Sequence, residues 1–156
     1  AGMAVLDGKL YAAGGGSEDD DATANLVERY DLATKAWEAV APMAVERFAP
    51  AVAVLDGKLY AVGGFNGDDF LNSVERHDPA TNAWEAVAPL TLARFGAGVA
   101  ASKGKLYAVG GSIEEDDEAE AQSPAHSVER YDPASNAWEE VAPMATARAF
   151  PFALLM

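Results

Sequence analysis

Ala51-Val52-Ala53-Val54-Leu55-Asp56-Gly57-Lys58-Leu59-Tyr60-Ala61-Val62-Gly63-Gly64 holds two short apolar runs, a two-residue turn between them and a double glycine at the end. Asp-Gly is a hairpin signal, because glycine takes positive φ without steric cost and the tight turn matches the twist of the flanking strands. The paired glycines free the backbone to leave a sheet. Outward from this stretch, Asn72 to His77 reads as a third strand and Ala83 to Val87 as a fourth. Between them Asp78-Pro79-Ala80-Thr81-Asn82 is a turn, in which proline fixes φ and aspartate accepts from its own backbone. No segment carries a convincing helical stripe.

The same unit occurs three times. Gly57-Lys58-Leu59-Tyr60 has copies at Gly8 to Tyr11 and Gly104 to Tyr107, and Val74 to His77 has copies at Val27 to Tyr30 and Val128 to Tyr131. Trp84 has its counterparts in Trp37 and Trp138, each at one constant distance from the preceding Tyr30, His77 or Tyr131. Constant spacing through the second half of the unit predicts a rigid element there. The variable stretch between the glycines and the Val-Glu-Arg segment is where an insertable loop belongs. The period is about 50 residues, and each unit is predicted to be a four-stranded antiparallel sheet.

These residues resemble the kelch motif. It consists of a double glycine (Gly14-Gly15, Gly63-Gly64, Gly110-Gly111), a spaced aromatic (Tyr30, His77, Tyr131) and a tryptophan (Trp37, Trp84, Trp138). The resemblance implies an all-β propeller with blades over 1–47, 48–94 and 95–148 and the inner strand of a further blade over 149–156. In such a ring the first strand of each blade lines a crowded axis. The small residues of Ala51 to Val54 and of Gly96 to Ala101 suit that place. The tryptophans fall on the outer strand, where they are expected to be buried at blade interfaces. His77 is expected to replace tyrosine as a packed aromatic.

Three blades do not close a ring, since closed propellers have roughly 4–8. Either the chain is a fragment of a longer propeller, with six blades the family habit, or two copies pair into a six-bladed ring. Arg148 to Met156 matches Arg47 to Leu55, and this surplus inner strand favours the fragment.

Composition narrows the function classes. The 156 residues are half hydrophobic and carry a net charge of −14, which repels phosphate backbones and argues against nucleic acid as a partner. The longest apolar stretch, Ala149 to Met156, is too short to span a bilayer, so no membrane is expected either. No signal peptide is visible. Without cysteine there is no disulfide framework, thiol nucleophile or zinc cluster. That removes an argument for secretion without fixing the compartment; the cytoplasm is slightly favoured.

The family that the motif resembles includes enzymes as well as binding modules. A galactose-oxidase-like copper centre needs a Tyr–Cys crosslink and histidine ligands. Here there is no cysteine, and His77 and His126 lie in different blades. No metal or cofactor is expected, and the chain is read as a non-enzyme. Arg47, Arg94 and Arg148 recur just before each inner strand, where the kelch adaptors of ubiquitin ligases hold acidic peptides at the channel mouth. Guanidinium forks suit carboxylates. An inter-blade salt bridge is the competing role. Phe65, Asn66 and Ser112 follow the double glycines at the family's contact positions. The acidic runs Asp19, Asp20, Asp21, then Asp68, Asp69, then Glu114, Glu115, Asp116, Asp117 lie in the same loops. They read as solvated loops or as a rim that attracts a basic partner. The repeated pairs Glu28/Arg29, Glu75/Arg76 and Glu129/Arg130 read as structural.

The resulting expectation is a protein- or peptide-binding module acting through one loop face. The alternatives are a fragment of a sugar-active kelch enzyme, galactose-oxidase-like or sialic-acid-epimerase-like, or an engineered repeat array without a ligand. The near-identity of 36–42 and 83–89 keeps the last in view.

Overall fold

A computed structural model describes residues 1–16, 24–114 and 122–148. Those residues form three four-stranded antiparallel sheets and no helix. The first runs β1 (Gly2–Leu6), β2 (Lys9–Ala13), β3 (Val27–Asp31), β4 (Ala36–Val40), in chain order across the sheet. The second repeats this with β5 (Ala51–Leu55), β6 (Lys58–Val62), β7 (Val74–Asp78) and β8 (Ala83–Val87). The third uses β9 (Gly98–Ser102), β10 (Lys105–Val109), β13 (Val128–Asp132) and β14 (Ala137–Val141). Between its second and third strands lies a hairpin, β11 (Ser112–Glu114) with β12 (Gln122–Pro124), where the sequence suggested only an acidic loop. The proposed inner strand over 149–156 lies outside the described residues.

Local chemistry sets each turn. Asp7-Gly8, Asp56-Gly57 and Lys103-Gly104 all have positive φ at both positions, the two-residue turn whose twist fits a hairpin. Between the third and fourth strands, the carboxylates of Asp31, Asp78 and Asp132 accept from the backbone N–H two residues on, at 2.8, 2.9 and 3.0 Å. Each of these turns then passes through a left-handed residue, Lys35, Asn82 or Asn136.

The inner strand β5 lies between β1 and β9 and neighbours both. Crowding explains their composition: a Cβ on Gly2 would stand 2.2 Å from Cγ2 of Val52. Two apolar clusters fill the wedges between sheets. Leu6, Tyr11, Ala13, Val27 and Met43 of the first blade and its following link meet Leu59 and Ala61 of the second. Tyr60, Val62, Val74 and Leu90 from the second blade and its link meet Leu106, Ala108, Tyr131 and Trp138 from the third.

The tryptophans are not equivalent, which corrects the expectation that all three are buried. Trp138 is 8% exposed, Trp84 is half-buried and Trp37 is 49% exposed. The indoles of Trp84 and Trp138 donate to the carbonyls of Ala41 and Ala88 in the preceding blade, at 2.7 and 2.9 Å. Among the described residues no blade precedes Trp37 to cover it. His77 takes the aromatic place as expected. It is fully buried, with Tyr11 and Trp84 against its ring, and its Nε2 lies 3.0 Å from Oδ1 of Asn82. Tyr131 makes the same kind of bond to Asn136, at 2.9 Å.

Candidate functional site: the loop face

The links that end each blade and the loops that follow each double glycine emerge on one face. Gly64 N–H donates to the carbonyl of Arg94, and the same bond joins Gly15 to Arg47 and Gly111 to Arg148. One residue further on, Phe48 exchanges both backbone bonds with Phe65, and Phe95 with Ser112. Gly63 and Gly64 stand at φ +62° and +105°, and a Cβ on Gly63 would lie 2.5 Å from the Arg94 oxygen. Glycine is therefore required by both conformation and contact.

Arg47 and Arg94 do not line a channel mouth. They are 0% and 1% exposed, and their guanidinium groups are spent inside the protein. Arg47 Nε and Nη2 bond to Oε2 of Glu75 at 3.2 and 3.0 Å, while its Nη1 donates to the carbonyls of Gly63 and Ser73. Arg94 repeats the arrangement with Glu129, the Gly110 and Ser127 carbonyls and the Ser127 hydroxyl. The far oxygen of each carboxylate is occupied too, by the N–H of Ala44 for Glu75 and by the N–H and hydroxyl of Thr91 for Glu129. Burial pulls the Arg47 guanidinium below its ordinary value, and the Glu75 carboxylate opposes that pull.

Each arginine thus holds one blade by its backbone and the next by its side chain. This is the inter-blade salt bridge, and the ring of ligand-binding arginines is corrected accordingly. Arg148 alone of the three is exposed, with no side-chain partner among the described residues. The Glu-Arg pairs also divide their labour. Glu75 and Glu129 point inward to these junctions, while Arg29, Arg76 and Arg130 reach across the surface to Glu38, Glu85 and Glu139 on the neighbouring strand.

The other predicted contacts separate as well. Ser112 is buried, 5% exposed, with its backbone tied to Phe95, so it is not presented to a ligand. The Asn66 side chain accepts from the N–H groups of Asp68 and Asp69 at 2.9 and 2.8 Å, which shapes the loop and leaves both aspartates exposed. Phe65 is at the surface in company the sequence reading missed. Phe48, Phe65, Phe70 and Phe95 are each half-buried and form one aromatic cluster. Phe70 stacks on Phe95 at 5.4 Å, with Phe65 edge-on to both at 5.9 and 6.0 Å and Phe48 6.4 Å beyond. A Cβ on Gly16 would stand 2.3 Å from Cε1 of Phe48, so that glycine leaves room for the ring. The signal was present in the repeated pairs Arg47-Phe48 and Arg94-Phe95. Asp19, Asp20, Asp21, Glu115, Asp116 and Asp117 lie outside the described residues; Glu114 ends β11. Among the described residues no three His, Cys, Asp or Glu side chains gather as metal ligands.

A family model described as the Kelch motif matches residues 1–44, 46–91 and 93–145. The chain belongs to the kelch family. The three matches correspond to the three sheets, and the glycine, aromatic and tryptophan positions of the kelch unit take the structural places described above. No curated protein matches the chain. Among solved structures, one titled "Structure of YjhT" is similar with a TM-score of 0.76 at 20% identity, over 92% of this chain. The kelch units described here span 50% of that chain's length. A likeness at this identity concerns the fold: a propeller of which three blades are present.

Proposed function

We propose that this chain is a protein- or peptide-binding kelch module without catalytic activity. The observation that carries the reading is the cluster of Phe48, Phe65, Phe70 and Phe95, half-exposed on the loop face beside the exposed Asp68 and Asp69. Aromatic side chains offer large contact area at low entropy cost and dominate recognition patches. With Arg47 and Arg94 committed to Glu75 and Glu129, the face favours an apolar anchor flanked by basic groups over an acidic peptide. The rim charges act mainly on arrival rate, the aromatic anchor on release.

A displayed peptide library selected on the intact chain tests this. Selected sequences should combine an aromatic or large aliphatic residue with Lys or Arg. Phe70→Ser should weaken the best peptide by at least about tenfold, and Asp68→Asn with Asp69→Asn should slow its association and flatten the salt dependence. If these variants bind like the parent while Lys58→Ala or Lys105→Ala on the opposite hairpin side abolishes binding, the face is misassigned.

A further inference from the structure

Asn66-Gly67 forms the tip of the loop that carries the aromatic cluster. That loop is tightly closed. Leu71 N–H donates to the Gly64 carbonyl at 2.8 Å, Asn66 N–H donates to the Asp69 carbonyl at 3.2 Å, and Phe65 and Phe70 face each other as a bridged pair. Oδ1 of Asn66 accepts from the N–H groups of Asp68 and Asp69 at 2.9 and 2.8 Å. Its Nδ2 has no partner among the described residues. Gly67 is exposed at φ +101°, with nothing within 4 Å of where a Cβ would stand, and its N–H has no partner among the described residues.

These are the parts of an intramolecular addition. The Gly67 nitrogen is a nucleophile tethered beside an electrophile, Asn66 Cγ, so the two meet without a bimolecular step. Negative charge develops on Oδ1 as the bond forms, and two N–H groups already point at that oxygen. Without a Cβ, Gly67 leaves its nitrogen unscreened and its backbone free to twist into a succinimide ring.

The other asparagines lack this combination. Leu26, Ser73, Ala83 and Ala137 follow Asn25, Asn72, Asn82 and Asn136, each with a side chain beside the nitrogen. Asn82 and Asn136 are also held by the N–H groups of Ala41 and Ala88 in the preceding blade. Asp7-Gly8 and Asp56-Gly57 offer only a carboxylate, which resists addition.

We propose that Asn66-Gly67 is a self-modification site, which the folded loop converts to aspartate and isoaspartate. The Gly67 N–H gives its proton to a solvent base, and the nitrogen bonds to Asn66 Cγ. The Cγ–Nδ2 bond then breaks, and Nδ2 takes up a proton and leaves as ammonia. Water opens the succinimide. Addition at Cγ leaves an ordinary aspartyl link, and addition at the main-chain carbonyl carbon leaves the chain running through Cγ as isoaspartate. The net change is ammonia lost and water gained, with no oxidant or reductant.

Isoaspartate reshapes the face. The main chain gains a carbon between Phe65 and Phe70, and the former Oδ1 becomes a peptide oxygen, no longer placed for the Asp68 and Asp69 N–H groups. A new carboxylate also enters beside the exposed Asp68 and Asp69, and like charges repel. The bridged pair cannot keep its register over the longer span, so Phe70 leaves its stack on Phe95, now at 5.4 Å. This change in geometry follows whether or not the face binds a peptide.

Incubating the intact chain in mildly alkaline buffer, folded and in parallel unfolded in urea, tests the proposal by peptide mapping. In the folded chain residue 66 should gain the mass difference between water and ammonia, partly as isoaspartate, at least about tenfold faster than any other asparagine. It should react no more slowly than in the unfolded chain. Asn66→Ser keeps an oxygen that accepts from the same N–H groups but has no carbon to attack, so its loop should release no ammonia. In the aged chain the ring resonances of Phe70 should move while those of buried Tyr131 stay. Freshly prepared Asn66→Asp, which carries the charge without the extra carbon, should leave Phe70 in place. Asn66 intact in the folded chain while the unfolded chain converts overturns the proposal, and so does conversion that falls first on Asn72. Isoaspartate formed with unmoved Phe70 resonances overturns the reshaping of the face.

Discussion

Trp138 and Ala88 belong to different blades and share one hydrogen bond, from the indole Nε1 to the carbonyl oxygen at 2.9 Å. The bond is set in a buried wedge, so Trp138→Ala removes a large packed ring and leaves a carbonyl unpaired. It should cost about 3–5 kcal/mol. Trp37→Ala should cost only about 1 kcal/mol, because half of that ring is already in water. Urea unfolding of both variants checks the contrast, and equal midpoints would contradict it.

Removing one member of a junction pair should be severe. Arg94→Ala leaves Glu129 buried without its cation and should lose about 3–5 kcal/mol, whereas Arg148→Ala, at an exposed position, should change stability by less than about 0.5 kcal/mol. Replacing Arg94 by Met and Glu129 by Leu together should recover only part of the loss, since no uncompensated charge remains but the Gly110 and Ser127 carbonyls and the Thr91 N–H lose their partners. Thermal unfolding of the three variants separates this structural role from a ligand-binding one.

Two glycines with similar φ should respond differently to alanine. Gly57, at φ +72°, has nothing within 4 Å of a new Cβ, so Gly57→Ala should cost about 1–2 kcal/mol from conformation alone. Gly63→Ala meets the Arg94 carbonyl at 2.5 Å as well, and should exceed that cost by more than about 1 kcal/mol. Denaturant midpoints of the two variants read the difference directly.

Lys105 bonds to Asp132 at 2.7 Å and, with the Ala134 N–H, holds its carboxyl below the ordinary 3.8. A depressed folded value means that the ionised form stabilises the fold above the unfolded value and is lost as pH falls through the folded one. The destabilisation caused by Asp132→Asn should therefore be constant near neutrality and shrink as the pH falls below about 3.8. Paired melts of parent and variant from neutral to strongly acid pH measure it.

The hairpins, double glycines and strand order were legible because each depends on a few neighbouring residues. Asp56-Gly57 needs only its own φ angles, and Gly63-Gly64 only the departure of its own strand. The role of the arginines was not legible. A residue repeated in every blade serves a shared ligand or a shared junction equally well, and only the position of the Glu75 and Glu129 carboxylates decides. Trp37 escaped for a related reason: its sequence surroundings match those of Trp84, while its burial depends on a blade that precedes it. Phe70 lies in the variable loop, without a counterpart in the sister copies, so nothing in the repeat pointed to its stacking on Phe95. The acidic run hid the β11–β12 hairpin, because charges obscured the alternation that marks a strand.

The placing of Arg47 in the link and of its carboxylate in the blade that follows has a consequence for how such a chain changes length. A span copied from the start of one link to the start of the next carries one arginine, one glutamate, one tryptophan and one receiving alanine carbonyl. Inserted in tandem, it supplies its own fastening to the unit before it and leaves a fresh one for the unit after. Excising such a span restores the same fit between the units left behind. Lineages can therefore gain or lose whole segments by unequal crossing-over without first evolving a new joint, and the curvature of the arc becomes the only arbiter of how many segments persist.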